Sequence, residues 1–329
     1  MSRHHFSRDE CRAQQINLIR LSEMLAPGVS GAAVESAERL LGGFANSNYK
    51  VSLSGITEAL VVRIYVRDSH AAAREAAVLN LLRGYLPVAR VLHLNQGRRG
   101  DQPYAVLTWM EGDPLNEILA ELAPKDGSRV AYAVGSVLAA AQAIPPGALA
   151  KLSCAGLVAP DPAAPHSLLS FVHESLFEYG GRECLGRRLT DRLWRFVDER
   201  APALSAIKDH GLLVHGDFNP LNVLARPVRG QTEVSAVLDW EHAHLGSPLL
   251  DIGSMLRCQH DQFGWFEAPF LSGYADNGGI LPSNWKSLGQ MLDLANLCRL
   301  LRSPMTSDVA VRGVKNIIES TLESARSLT

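Results

Sequence analysis

Residues 213–256 read LVHGDFNPLNVLARPVRGQTEVSAVLDWEHAHLGSPLLDIGSML, and two apolar runs of strand character frame their polar side chains. Asp217 follows His215 and Gly216, and Asn222 stands five residues further on. Asp239 closes the run from Val234 to Leu238, and Asp251 lies past a Gly-Ser-Pro turn. His-Gly-Asp alone would mark no more than a turn with a structural histidine, because Asp and Gly favour turns on their own account. The ordered set carries the information.

Asp217 and Asn222 have the D-x-x-x-x-N spacing of a kinase catalytic loop, in which the Asp accepts a hydroxyl proton and the Asn holds magnesium. Hard cations take oxygen ligands, and Asp239, at the end of an apolar strand, is the natural second one. Phosphoryl transfer asks the protein for positioning and charge neutralisation rather than covalent help. A neutral amide at 222 avoids crowding a third carboxylate into the site. Two other readings stay open at this point. The chain can be a nucleotide-binding pseudokinase that regulates a partner, or a hydrolase whose transition metal is held by His215, Asp217, Asp239, His242 and His244.

With 329 residues, the chain is expected to form two lobes rather than one core. A hydrophobic share of 47%, a charged share of 20% and a net charge of -2 describe an ordinary globular protein. That balance gives no reason to expect nucleic acid as a partner. Five cysteines stand singly without a C-x-x-C pair, which points to reduced thiols and a cytoplasmic protein. No signal peptide is read at the N-terminus, and no run reaches the roughly 18 apolar residues of a membrane helix.

Along the chain, residues 7–26 have an imperfect helical pattern closed by Pro27 and Gly28. Strands are expected over 37–41, 49–53, 59–66, 88–94 and 104–109. One helix interrupts them over 69–85, with Val78, Leu81, Leu82 and Tyr85 on its buried face. After Glu111 the pattern turns helical, over 114–122 and 128–144. The proline-rich piece 145–166 reads as a surface excursion, inert or a lid. Helices follow over 168–179 and 190–207, with Thr190 as N-cap, and again from about Pro248 to the C-terminus. The expected division is a helical segment 1–36, a small lobe 37–111 and a helical lobe 112–329.

HGDFNPLN followed by VLDWEHAHLGSPLLDIG resembles the signature of the aminoglycoside phosphotransferase family, whose relatives include choline kinases and other small-molecule kinases. The resemblance implies an α+β, two-lobed protein-kinase-like fold with a small antiparallel-sheet N-lobe and a larger, mainly helical C-lobe. It implies Asp217 as catalytic base, Asn222 and Asp239 as Mg2+ ligands, and His215 and Asp251 as supports of the loop. The co-substrate would be ATP or GTP and the acceptor a small-molecule alcohol, an aminoglycoside or related antibiotic among the candidates. No nucleic acid or membrane partner is expected, and the chain would act as a monomer or homodimer.

Weaker matches lie in the small lobe. The segment 42–49, with Gly43, Asn46 and Ser47, resembles the loop that covers the nucleotide phosphates, where Gly permits close backbone approach. Arg63 stands where the family and its protein-kinase relatives place a phosphate-binding Lys, with Glu75 in the next helix to orient it. Arg brings a planar fork in place of a point charge. Residues 105–112 resemble the hinge that reads a nucleobase through backbone groups, with Thr108 and Met110 as the contacts. Asn219 replaces the Lys with which protein kinases touch the transferred phosphoryl group, and Glu241 replaces the Gly of Asp-Phe-Gly. Both departures favour a small acceptor. For the acceptor site, Asp261, Glu267 and Asp276 would suit a polycationic amino sugar, and Trp265, Phe266 and Phe270 a more apolar alcohol.

Overall fold

The computed structural model describes residues 17–29, 31, 33–40, 46–66, 68–97, 101–158, 167–207, 211–257, 263–302 and 308–324. The chain divides into two compact units, Met1–Arg83 with Val88–Met110, and Gly84–Pro87 with Glu111–Thr329.

In the first unit, strands β1 (Val34–Leu40), β2 (Asn46–Leu53), β3 (Ile56–Tyr65), β4 (Val91–Asn95) and β5 (Tyr104–Thr108) form an antiparallel sheet in the order β1-β2-β3-β5-β4. The period of two is visible in β2, where Tyr49, Val51 and Leu53 are buried and Asn48, Lys50 and Ser52 are half-exposed. Helix α1 (Leu18–Leu25) adds Leu21, Met24 and Leu25 to the core formed by the apolar face. Its first turn is capped by Asn17, whose Oδ1 accepts the Arg20 amide at 2.8 Å. Residues 7–16 of the expected helix lie outside the described residues.

Helix α2 (Ala71–Leu82) ends earlier than expected, and Tyr85 is exposed rather than part of its buried face. The buried side is Ala71, Ala72, Glu75, Ala76, Val78, Leu79 and Leu82. Three alanines and a paired glutamate dilute the apolar stripe, which is why the sequence pattern is out of phase.

The second unit holds α3 (Leu115–Glu121), α4 (Pro124–Gln142), α5 (Pro146–Cys154), α6 (Leu168–Phe177), α7 (Gly181–Leu185) and α8 (Arg187–Arg200) before the central stretch. α9 (Leu249–Leu256), α10 (Glu267–Asp276), α11 (Trp285–Leu301) and α12 (Asp308–Ser324) come after it. Part of the proline-rich excursion is therefore a helix. Pro146 occupies the first turn of α5, where its missing N–H costs nothing, and Leu149 is buried. Residues 159–166 lie outside the described residues. Thr190 is not an N-cap: α8 begins at Arg187, and the buried Thr190 hydroxyl donates to the Gly186 carbonyl at 3.0 Å. Beyond Arg200 the chain tightens into a 3-10 turn at Ala201–Ala206, where Pro202 prevents the α-helix from continuing.

The central stretch forms β7 (Leu212–Val214), β8 (Val223–Val228), β9 (Gln231–Val237) and β10 (His244–Gly246). β8 pairs with β9 and with β6 (Asp113–Pro114), and β7 pairs with β10, all antiparallel. Arg229 and Gly230, both at positive φ, close the β8–β9 hairpin.

Two close helix crossings set the frame around this stretch. A Cβ on Gly135 would stand 2.0 Å from the Phe270 carbonyl, and one on Gly273 2.0 Å from that of Tyr132, so α4 and α10 meet backbone to backbone. Likewise a Cβ on Gly253 would lie 2.2 Å from the Gly289 carbonyl. Glycine there lets α11 press against α9 and brings the polar side chains of α11 to the loop between β7 and β8.

Candidate active site

The β8–β9 pairing decides which groups meet. Val223 is paired with Val237, and the Leu238 amide donates to the Asn222 carbonyl at 2.8 Å, so Asn222 and Asp239 stand together at one end of the hairpin. Asp239 takes a left-handed conformation (φ 66, ψ 56), uncommon for a residue other than glycine, and a 3-10 turn, Trp240–His242, follows it.

Asp217 is held through both carboxylate oxygens. Asn219 Nδ2 donates to Oδ1 at 2.8 Å and Asn222 Nδ2 to Oδ2 at 2.9 Å. Both amides also reach the Asp217 carbonyl, at 3.2 and 2.9 Å. The loop around them is closed by Asn219 Oδ1, which accepts the Leu221 amide at 2.9 Å. Since the Asn222 nitrogen is committed to Asp217, its oxygen is the atom left for a cation.

His215 is structural. The Asp217 amide donates to its Nδ1 at 3.2 Å, so the proton sits on Nε2, which donates to the Leu238 carbonyl at 2.7 Å. The ring also packs on Trp240 with centroids 4.5 Å apart. Asp251, in the first turn of α9, accepts the His215 and Gly216 amides at 2.8 and 3.0 Å. Burial pushes its carboxyl above the usual range, against the pull of His215 and the two amides.

Three residues absent from the sequence reading complete the surroundings. Asn296 Nδ2 donates to the Gly216 carbonyl at 2.9 Å. Arg257 Nη2 lies 3.3 Å from Asp293 Oδ1 and 3.9 Å from Asp217 Oδ1. Asp293 is fully buried, and burial pushes its carboxyl up to about 6 although Arg257 pulls it down. A signal was available: Asp293 and Asn296, three apart, are polar positions inside the apolar run LDLANLCRLL.

In the first unit, Arg63 and Glu75 are joined by an Nε–Oε2 ion pair of 3.1 Å, both side chains almost fully buried. The Tyr65 hydroxyl donates to the same Glu75 oxygen at 2.5 Å. Asn46 and Ser47 open β2, opposite Tyr65 and Ile64, and Gly43 lies outside the described residues. Thr108 ends β5, its Oγ1 accepting the Arg90 amide at 2.9 Å, and Met110 follows beyond the sheet. The sequence reading also missed Lys50, whose Nζ sits 4.0 Å above the Trp109 ring.

The expected acceptor groups are placed differently. Phe266 and Phe270 are fully buried and stacked at 5.7 Å, so they are core rather than pocket lining. They lie one helical turn apart and face the same side. Trp265 packs on Gly127 of α4. Glu267 is paired with Lys286 at 2.9 and 3.0 Å, and Asp276 accepts the Tyr132 hydroxyl at 3.2 Å. Asp261 lies outside the described residues. Glu241 is buried, not solvent-facing, with Oε1 3.7 Å from His242 Nε2.

The sequence profile of the phosphotransferase enzyme family, APH, matches residues 36–289. The chain belongs to that family. None of the curated proteins matches this phosphotransferase at a significant level. Among solved structures, the GDP and kanamycin complex of APH(2")-IIia is 16% identical, with a TM-score of 0.73 over 93% of this chain and 99% of that one. The macrolide 2'-phosphotransferase MphH from Brachybacterium faecium, an apoenzyme, is 18% identical, with a TM-score of 0.63 over 92% and 98%. The streptomycin-ATP-APH(2")-IIa ternary complex is 16% identical, with a TM-score of 0.63 over 94% and 98%. The phosphotransferase thus has the kinase-like α+β fold, with a sheet-based first unit and a mainly helical second one.

Proposed function

We propose that this phosphotransferase moves the γ-phosphoryl group of ATP or GTP to a hydroxyl of a small molecule, with Asp217 as the base and Asn222 and Asp239 as the Mg2+ ligands. The observation that carries the reading is the Asp217–Asn222 contact. One amide nitrogen fixes the carboxylate, which leaves the amide oxygen for a cation, and the backbone pairing brings Asn222 and Asp239 to the same end of the hairpin.

The residues fit a magnesium ion. Mg2+ prefers one or two protein oxygen ligands and completes its shell with water and phosphate oxygens. Among the described residues no group of three His, Cys, Asp or Glu side chains converges to hold a metal by itself. The two nitrogens of His215 are taken by backbone groups, which argues against the hydrolase reading. When bound, the ion supplies charge neutralisation at the phosphates. Asp217 accepts the hydroxyl proton, its oxygens aimed by Asn219 and Asn222. Arg63, oriented by Glu75 and Tyr65, supplies positive charge toward phosphate, and the backbone of Thr108 and Met110 reads the base.

Aminoglycosides or related antibiotics are the acceptor class to test first, because the similar structures above include complexes with kanamycin and streptomycin and a macrolide phosphotransferase. Among the described residues no single helix is long and apolar enough to cross a membrane. We take the enzyme to act in the cytoplasm, as a monomer or homodimer. The test is a turnover screen with Mg2+ and either ATP or GTP against aminoglycosides, macrolides and metabolic alcohols. Transfer to at least one alcohol is expected. Nucleotide binding without transfer to any of them would favour a regulatory pseudokinase.

A further inference from the structure

Between Asp217 and Asn222 the loop reads Phe218, Asn219, Pro220, Leu221 and carries no cation. Phosphoryl transfer develops charge on the migrating group, and a fixed cation close to it is worth a large part of the rate. The structure brings one from elsewhere in the chain. Arg257, at the C-cap of α9, reaches back to within 3.9 Å of Asp217 Oδ1.

We propose that Arg257 is the cation that meets the transferring phosphoryl group, and that Asp293 is the residue that positions it. The inference rests on the phosphotransfer reading above. The guanidinium is anchored on one side: Nε donates to the Ser254 carbonyl at 3.1 Å, Nη2 to the Ser254 hydroxyl, and Nη2 is paired with Asp293 Oδ1 at 3.3 Å. Its side chain is only 11% exposed, so it is placed rather than solvated. The Arg257–Asp217 separation is too long for a hydrogen bond, and the carboxylate of Asp217 is engaged by Asn219 and Asn222 instead. Arg257 is therefore beside the base without being consumed by it. A guanidinium carries five N–H donors in a planar fork, and the contacts with Ser254 and Asp293 use Nε and Nη2.

The reach is sufficient. An attacking hydroxyl hydrogen-bonded to Asp217 Oδ1 lies about 3 Å from that atom, which places the reacting oxygen no more than about 7 Å from Arg257 Nη2. In the step, the bond from that oxygen to phosphorus forms while the bond to the β-phosphate oxygen breaks. The hydroxyl proton goes to Asp217, and the nucleoside diphosphate leaves with the electron pair. Asp293, buried and paired with Arg257, is a positioning residue in this step.

The test uses phosphate release from Mg·ATP and Mg·GTP to water by the full chain, and transfer to any alcohol found in the screen. Arg257→Gln is expected to lower kcat at least about 100-fold with the nucleotide KM within about threefold of wild type. Arg257→Lys should recover part of the loss, and Asp293→Asn should fall between wild type and Arg257→Gln. A purely structural tie between α9 and α11 would show as a lowered melting temperature with kcat maintained. That result, or wild-type kcat in a folded Arg257→Gln, would overturn the proposal. Where Arg257→Gln alone does not fold, the double variant with Asp293→Asn, neutral at both positions, gives the same reading. A wild-type chain that passes phosphate to neither water nor any alcohol would instead overturn the phosphotransfer reading and this inference with it.

Discussion

Asp251 grips the peptide of His215 and the one after it, its two oxygens accepting the His215 and Gly216 amides at 2.8 and 3.0 Å from inside the first turn of α9. The carboxylate is thus a clamp on the backbone just ahead of Asp217. Replacing it by alanine leaves two buried backbone donors unmatched. Asp251→Ala is expected to lose about 3 kcal/mol or more in urea unfolding, with turnover falling in parallel because the loop loses its anchor.

Gly216 is required at its position twice over. Its φ is +82, and a Cβ there would lie 2.6 Å from the His242 carbonyl, a backbone atom that cannot yield cheaply. Gly216→Ala is expected to cost about 2–4 kcal/mol by chemical denaturation. The same substitution at Gly55, also at positive φ but with open space around it, should cost about 1–2 kcal/mol.

Asn222→Asp would bring a second carboxylate to 2.9 Å from Asp217 Oδ2, in place of the amide donor. Like charges at that distance repel strongly in a partly buried loop. Turnover is expected to drop at least about 100-fold, with a higher Mg2+ requirement in a metal titration, since a cation would then be needed to hold the two carboxylates together.

The buried Asp293 gives a pH signature. Its ordinary value of 3.8 is raised to about 6 in the folded chain, chiefly by desolvation. An acid with a raised folded pKa holds its proton better when native, so its ionisation penalty is absent below about 4, grows through the window between the two values, and is complete above about 6. Asp293→Asn does not titrate. The stability of wild type relative to that variant should therefore fall between pH 4 and pH 7.5, by on the order of 3 kcal/mol. Denaturant midpoints of the two chains across that range check it.

The parts of this site that were legible in the sequence are local. Asp217 and Asn222 meet because the four residues between them cannot separate them far. Asp239 joins them through the β8–β9 hairpin, whose two-residue turn and one-residue register shift between Leu224 and Ala225 together pair Val223 with Val237, and that shift was not legible in the sequence. The sheet of the first unit is readable from the alternation in β2, and the helical second unit from its change of period. What was not legible depends on helix packing over long separations. Asn296 reaches the Gly216 carbonyl across 80 residues, and only the glycine contact of α9 with α11 brings it there. Phe266 and Phe270 were unreadable for the opposite reason: an aromatic pair one turn apart looks the same in sequence whether it lines a pocket or fills the core.

The most direct measurement on the central claim is the turnover of Asp217→Asn beside wild type, with nucleotide affinity and thermal stability recorded on the same preparations. Asparagine keeps the shape and its single oxygen can accept from one of the two amides, Asn219 or Asn222, but it cannot take a proton. Turnover should fall by about 100-fold or more while nucleotide binding and folding stay close to wild type. Wild-type turnover in that variant would contradict the assignment of Asp217 as the base.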